Sequence, residues 1–340
     1  MTRNNPNNPA NSNVATVKVL TSRIITADPL SGKLREPFLE NQTIIVSQTT
    51  GRILTVEPTS HEDLLTGYAN AIDLRGKTVL PGLIDTHVHF FLHPYSETSW
   101  DDQVTRESTA ERVVRAVNHA KATLLAGYTS NIKRDLGTEG AEDADISIRK
   151  CISAPMGIIP GPRYHCATRA IVATGSYGPK NVNRPYVTEV DGKSGADPAS
   201  GVDECVRVVR RQIGAGADWI KVSMQLDNQL DAHLVLDICR EEVEAMTKTA
   251  HSLGVKVAAH CVNAETIKML IEAGVDTLEH GTAMTEDVLP LLVEKQIPWT
   301  PTFAAYYSHQ YPGARPWQSL QKVFSKAIKM DAAITTGGDT

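Results

Sequence analysis

The sequence is short of most features that would set it apart from an ordinary globular protein. Its five cysteines are scattered through 340 residues with no C-x-x-C pair, which excludes a disulfide scaffold and a cysteine-built zinc site. No apolar run approaches the ~18 residues a membrane span needs. Charge of one sign is lacking too: 34 Lys+Arg against 39 Asp+Glu leave a net −5. With the basic residues dispersed, neither nucleic acid nor an anionic membrane surface finds an electrostatic footprint. A glycine-rich phosphate loop is absent, which removes the main argument for an open, doubly wound nucleotide-binding sheet. The first fourteen residues are rich in Asn and Pro and lack a signal peptide's apolar stretch, so they read as a disordered leader. Together with unpaired cysteines, this points to a reducing, cytoplasmic setting. The triplet Asn41-Gln42-Thr43 is a glycosylation sequon that matters only in a secreted chain.

What is present is a globular composition, 41% hydrophobic and 21% charged, long enough for about two domains or one large barrel with an appendage. From 17 to about 56, short β-branched runs (VKVL, RIITA, QTIIV, RILTV) separated by turn residues predict a small antiparallel sheet. After Val79 the rhythm changes to helices alternating with short apolar strands. Ala126-Gly127, Ala215-Gly216 and Ala273-Gly274, with Leu253-Gly254 as a looser copy, each follow an amphipathic stretch and precede an apolar run. A glycine just past a helix end takes the left-handed conformation without a Cβ penalty, so each marks a helix stopping and a strand starting.

Strands are expected at 79–89, 130–134, 163–167, 219–223, 256–260, 277–280, 299–303 and 333–339. Helices are expected near 108–125, where Ser108 and Glu111 form a capping box, and near 143–153, 202–213, 236–252, 264–272, 286–295 and 317–330. Eight strands with seven helices fit an α/β chain folded as a (β/α)8 TIM barrel that lacks its last helix. The Gly- and Pro-rich segment 168–199 is expected to be an elaborated loop after strand three.

His87 and His89 project to the same side of the first strand, near its C-terminal end, and two neutral imidazoles suit a divalent metal. His260, His280 and Asp339 close three other strands, on the rim where such barrels place their active sites. Lys221 lies inside the apolar strand WIKV, where an ammonium is costly unless paired or chemically altered. Asp85, one layer below His87, is placed to orient it. Arg169 and Tyr177, in the loop after strand three, are candidates for a substrate carboxylate, with His165 and Arg134 as second choices.

These residues together, PGLIDTHVH at 81–89, Lys221, Ala259-His260, EHGT at 279–282 and Gly338-Asp339, resemble the metal-dependent amidohydrolase superfamily. Arg134-Asp135-Leu136-Gly137, TRAIVATG at 168–175 and TGGDT at 336–340 are similar to its imidazolonepropionase-like branch, which includes Xaa-Pro dipeptidases and ochratoxinase. The resemblance implies two divalent metal ions, usually zinc. His87, His89 and Asp339 would hold one and His260 and His280 the other, bridged by a carboxylated Lys221. It also implies that Asp339 is catalytic, relaying a proton from the attacking water to the leaving nitrogen.

The implied activity is hydrolysis of amide bonds in small substrates such as dipeptides or N-acyl amino acids, with a lactonase or cyclic-amide hydrolase as the alternative. A deaminase is disfavoured, because Lys221 is present and Asn263 stands where deaminases carry a glutamate. The expected partition is a leader at 1–14, an incomplete N-terminal β-sandwich half-domain at 15–78 and the barrel at 79–340. Family members continue past the strand-eight aspartate, so the chain is expected to lack a C-terminal segment, and an inactive truncated fragment is the reading of a different class. The expected partner is a small amide or peptide, with a homo-oligomer compatible and neither nucleic acid nor membrane foreseen.

Overall fold

The structure, a computed structural model, describes residues 15–26, 38–61, 71–153, 156–174, 176, 195–224, 238–308 and 317–339. These fall into two compact units that divide between Gly82 and Leu83.

The first unit is a four-stranded sheet of β1 (Thr16–Ile24), β2 (Leu39–Ser47), β3 (Ile53–Pro58) and β4 (Ala71–Val79), in the order β3-β2-β1-β4. The β1–β2 and β2–β3 pairs are antiparallel, but β1 and β4 run parallel, so the sheet is mixed rather than wholly antiparallel. The runs VKVL and RIITA are not two strands. They form the single strand β1, and the irregularity falls opposite, where Thr21 pairs with Leu74 and Arg23 with Thr78. The extra residues of β4 bulge there, with Gly76 at φ +83° donating its N–H to Ser22 Oγ at 2.8 Å. Leu20, Ile24 and Ile44 are its buried hydrophobic side chains, Leu20 and Ile24 on one face and Ile44, paired with Val19, on the other.

The second unit alternates strands and helices. In chain order they are β5 (Leu83–Ile84), α1 (Trp100–Arg106), α2 (Thr109–Leu125), β6 (Tyr128–Asp135), α3 (Ala144–Ile152), β7 (Arg163–Cys166), β8 (Ala170–Val172), β9 (Ala196–Pro198), α4 (Val202–Ala215) and β10 (Trp219–Ser223). There follow α5 (Arg240–Ser252), β11 (Lys256–Asn263), α6 (Ala264–Glu272), β12 (Thr277–Ala283), α7 (Leu289–Glu294), β13 (Trp299–Thr300), α8 (Phe303–Ser308) and α9 (Trp317–Lys329). All pairings in this unit are parallel, in a six-stranded sheet β13-β12-β11-β10-β8-β9 and a three-stranded sheet β5-β6-β7.

Backbone hydrogen bonds link the two sheets on both sides. Thr335 N–H donates to Trp299 O, Thr86 N–H to Thr336 O and Asp339 N–H to His87 O, at 2.8–2.9 Å, while Asp218 N–H donates to Cys166 O at 2.9 Å. The predicted first strand is interrupted, since Val79 ends β4 and pairing resumes only at Leu83. The predicted last strand pairs only through a single bridge at Ile334. The segment foreseen as a loop after strand three carries β8 and β9, because Ala170, Ile171 and Ala196 bury apolar side chains in the sheet layer.

Local chemistry accounts for the boundaries. Ser108 Oγ accepts the Glu111 N–H at 3.2 Å, and Asn263 Oδ1 accepts the Thr266 N–H at 2.9 Å, capping α2 and α6. Gly127, Gly216, Gly254 and Gly274 all have positive φ after their helices, as the repeated junction requires. Strand alternation sorts the core. Ile220, Val222, Val257, Ala259 and Leu278 pack outward against the helices through Val208, Val209, Val243, Met246, Ile267 and Leu270. Ala258 instead joins Leu136, Ala167 and Trp219 in a separate inner cluster. Lys221 lies between the outward-packed Ile220 and Val222, and His260 is two residues beyond Ala258, so both share the inner face. Among the described residues no helix is long and apolar enough to cross a membrane.

Candidate active site

The C-terminal ends of the parallel strands bring His87, His89, Lys221, His260, His280 and Asp339 together. The His87 and His280 ring centroids are 4.6 Å apart, those of His260 and His280 4.4 Å, and those of His87 and His89 5.3 Å. Asp339 Oδ1 lies 3.0 Å from His87 Nε2 and 3.6 Å from His89 Nε2. Lys221, buried on β10, acts electrostatically on all four histidines. His87, His280 and Asp339 each offer one ligand atom, and these atoms lie within 4.8 Å of one another.

Three of the imidazoles are held by their Nδ1 atoms. His87 Nδ1 is 2.9 Å from Glu279 Oε2, His89 Nδ1 is 2.9 Å from Gly137 O, and His280 Nδ1 is 2.7 Å from Thr302 Oγ1. A carbonyl only accepts, so His89 carries its proton on Nδ1 and presents Nε2 as a lone pair. Burial lowers His89 to about 4, and burial with the Lys221 charge lowers His260 to about 3. Burial and the neighbouring His260 hold His280 well below the usual histidine range. These three rings are therefore neutral donors at pH 7. Burial would raise the Asp339 carboxyl, but the imidazole cluster, with His87 the ring of raised proton affinity 3.0 Å away, holds it well below the ordinary range, so it is an anion.

This donor set fits divalent metal ions: neutral imidazoles, one carboxylate and His87 Nε2, a buried nitrogen with no hydrogen bond of acceptable geometry. The amidohydrolase family profile matches residues 78–306. The chain belongs to the amidohydrolase family.

This amidohydrolase chain is 30% identical over 300 residues to ochratoxinase of Aspergillus niger, covering 78% of itself and 58% of that protein. It is 27% identical over 234 residues to an uncharacterized protein of Mycobacterium tuberculosis, covering 67% and 51%. It thus spans little more than half the length of these curated relatives. Among solved structures it resembles a Xaa-Pro dipeptidase with bound methionine, with a TM-score of 0.72 and 27% identity over 96% of this chain and 80% of that one. The A. niger ochratoxinase structure, at a TM-score of 0.70 and 24% identity, covers 96% of this chain and 76% of its own and shares the fold.

The remaining candidates of this amidohydrolase fall elsewhere. Arg169 bridges two carboxylates, Asp143 at 3.1 Å and Asp197 at 3.2 Å, and Asp197 also holds Arg211 and Gln212. Its guanidinium is thereby engaged within the protein. His165 is 3.8 Å from Asp218, a residue that precedes β10 and so lies at the opposite end of that strand from the histidine cluster. Tyr177 and the Arg134 side chain lie outside the described residues. Asp85 accepts the backbone N–H groups of His87 and Gly338 at 3.0 and 3.3 Å, so it fixes main chain rather than the His87 ring.

The ring is oriented by Glu279 instead, whose other oxygen accepts Thr277 Oγ1–H at 2.7 Å. Alternation along β12 would send Glu279 and His280 to opposite faces. His280 adopts φ +66°, which breaks the alternation and turns both side chains inward. Glu139 was equally unforeseen. Burial pushes its carboxyl up to about 7 against the opposing charges of Arg112 and Lys221. The adjoining Leu136-Gly137 motif was the available signal, but nothing in it tells that the chain turns back two residues later.

Proposed function

We propose that this chain is the catalytic part of a metal-dependent hydrolase that cleaves amide bonds of small substrates, dipeptides or N-acyl amino acids. The observation that carries the reading is the convergence of His87, His280 and Asp339 donor atoms within 4.8 Å of one another, with His89, His260 and Lys221 around them. We read the backbone links between the two parallel sheets as closing an eight-stranded barrel around this cluster. Relatives named for peptide and ochratoxin chemistry support an amide substrate.

In this reading His87, His89 and Asp339 would hold one divalent ion and His260 and His280 a second, zinc being the expected metal. Lys221, if carboxylated on Nζ, would join them as a ligand shared by the two ions, turning a costly buried cation into an anionic oxygen donor. When bound, such ions lower the pKa of water and polarise a carbonyl. The protein's own part is positional and acid–base. Glu279, Gly137 O and Thr302 fix the rings so that their free nitrogens face one centre. Asp339, anionic and beside that centre, accepts the proton of the attacking water and returns it to the departing amine nitrogen.

The test combines elemental analysis of the purified protein with a screen of dipeptides and N-acyl amino acids. Two metal ions per chain and turnover of one of these classes are expected. A chain saturated with metal that cleaves no amide in the panel refutes the reading.

A further inference from the structure

Glu139 is outside the set assigned to the metals, yet its carboxylate shares their surroundings. Lys221 and Asp339 both act on it electrostatically. Its Oε1 lies 3.1 Å from the point where a Cβ on Gly137 would stand, and His89 Cε1 lies 3.7 Å from that same point. The segment that carries it is rigidly clamped. Arg112, 1% exposed, donates from Nε to Phe91 O at 3.0 Å, from Nη2 to Thr138 O at 2.9 Å and from Nη1 to Glu139 O at 2.5 Å. Glu139 sits at φ +49°, a left-handed conformation that a glutamate holds only when its surroundings impose it.

The carboxylates around the cluster differ in spare capacity. Glu279 is closed between His87 and Thr277, Asp85 is committed to two backbone N–H groups, and Asp339 faces His87 and His89. Glu139 accepts a hydrogen bond from the Trp100 side chain, and a carboxylate has about four acceptor positions. It is only partly buried, as are His89 and His260, whereas His87, Lys221, His280 and Asp339 are buried. Glu139 therefore borders the open side of the cluster, where a substrate enters. In a dipeptide the α-ammonium is two bonds from the scissile carbonyl carbon. A carbonyl seated at the cluster carries that cation toward the buried Arg112 guanidinium that clamps the Glu139 backbone, where only a carboxylate with acceptors to spare makes it welcome.

We propose that Glu139 anchors the free α-ammonium of the substrate's N-terminal residue, so that the site selects unblocked dipeptides over N-acylated ones. The inference rests on the amide-hydrolase reading for its substrate class, but its test does not depend on turnover. The probes are an Ala-Ala ketomethylene isostere, which has no scissile C–N bond, and its des-amino counterpart. Calorimetry measures the binding of each to the metal-loaded protein. The free amine is expected to bind ~10- to 100-fold tighter, the range of one charge-assisted hydrogen bond. E139Q should erase that ratio, and W100F, which keeps the carboxylate, should retain it. Equal binding of both probes by the wild type, no binding of either, or a full preference in E139Q overturns the proposal. Hydrolysis of Ala-Ala is followed in parallel. Turnover without an amine preference refutes the anchor alone, and an amine preference without turnover refutes the hydrolase reading alone.

Discussion

Removing the Glu279 carboxylate tests how the site is held, because its two oxygens are engaged by His87 and Thr277. Glu279 and His87 are both fully buried, joined at 2.9 Å, and Thr277 Oγ1 fixes the second carboxylate oxygen at 2.7 Å. The carboxylate forces His87 Nδ1 to carry a proton and leaves Nε2 for a metal ion. A hydrogen bond to a charged group is worth ~1.5–3 kcal/mol net, and ~1.4 kcal/mol is a factor of ten. E279A should therefore weaken metal binding by ~10- to 100-fold, in line with the usual effect of losing a partner behind a ligating histidine. E279Q keeps the shape and loses the charge, so it should fall at the lower end. Competition against a chromophoric chelator at pH 7.5 reads the affinity, and urea unfolding of the metal-free protein separates it from stability.

The pH dependence of this affinity also has a definite sign. Burial and Lys221 pull His87 down, but the Asp339 and Glu279 carboxylates outweigh them and its proton affinity is raised. A proton on Nε2 must leave before a metal binds, so affinity falls on the acid side. E279A should shift that fall to lower pH. Wild-type metal affinity in E279A would refute the argument.

Lys221→Ala should lose both ions by elemental analysis, with partial recovery in short carboxylic acids; full metal content in that variant contradicts a carboxylated lysine. Asp145 is fully buried, accepts the Thr168 and Ile146 N–H groups, and burial pushes its carboxyl from 3.8 up to about 7. The folded state then keeps a proton that the unfolded chain releases, so the stability present below pH 4 is lost as pH rises to 7, by up to ~4 kcal/mol. D145N should flatten that slope in urea unfolding at pH 4.5 and 7.5, and equal slopes would show that Asp145 does not titrate there. Arg112→Met strands the Phe91, Thr138 and Glu139 carbonyls in a buried place and should cost ~3 kcal/mol or more, read from the urea midpoint; a loss under 1 kcal/mol contradicts the clamp.

Much of this architecture was legible because it follows from periodicity. The Ala-Gly junctions located helix ends, and placing Lys221 inside one apolar run and His260 and His280 at the ends of two others needed only the strand pattern. The first unit was harder, since nothing in VKVL-TS-RIITA distinguishes two strands from one strand opposite a bulge. That decision was made by Gly76, 54 residues away, donating to Ser22. The surroundings of Arg169 were hidden for the same reason. An arginine in a loop reads as available, and only tertiary structure shows the two aspartates that already hold it.

The local geometry that escaped the sequence has a common cause. Glu139, Thr168, His280, Thr302 and Asp339 all have positive φ; Thr168 and Thr302 lie two residues past the ends of β7 and β13, and His280 lies within β12. Left-handed backbone costs a non-glycine residue of order 1 kcal/mol or more, so five such positions on one rim are not a neutral outcome of packing. Each defeats alternation where it occurs, turning His280 in beside Glu279 and bringing Thr302 under the His280 ring. Close approach adds to this at Gly337, where a Cβ would stand 2.6 Å from His87 Cβ. A larger residue there would push away the strand that carries Asp339. The regular part of the fold is thus written in the sequence as a repeat, while the site is written as departures from it. Those departures are held in place by contacts between strands 190 to 250 residues apart, such as His87 with Glu279 and Asp339.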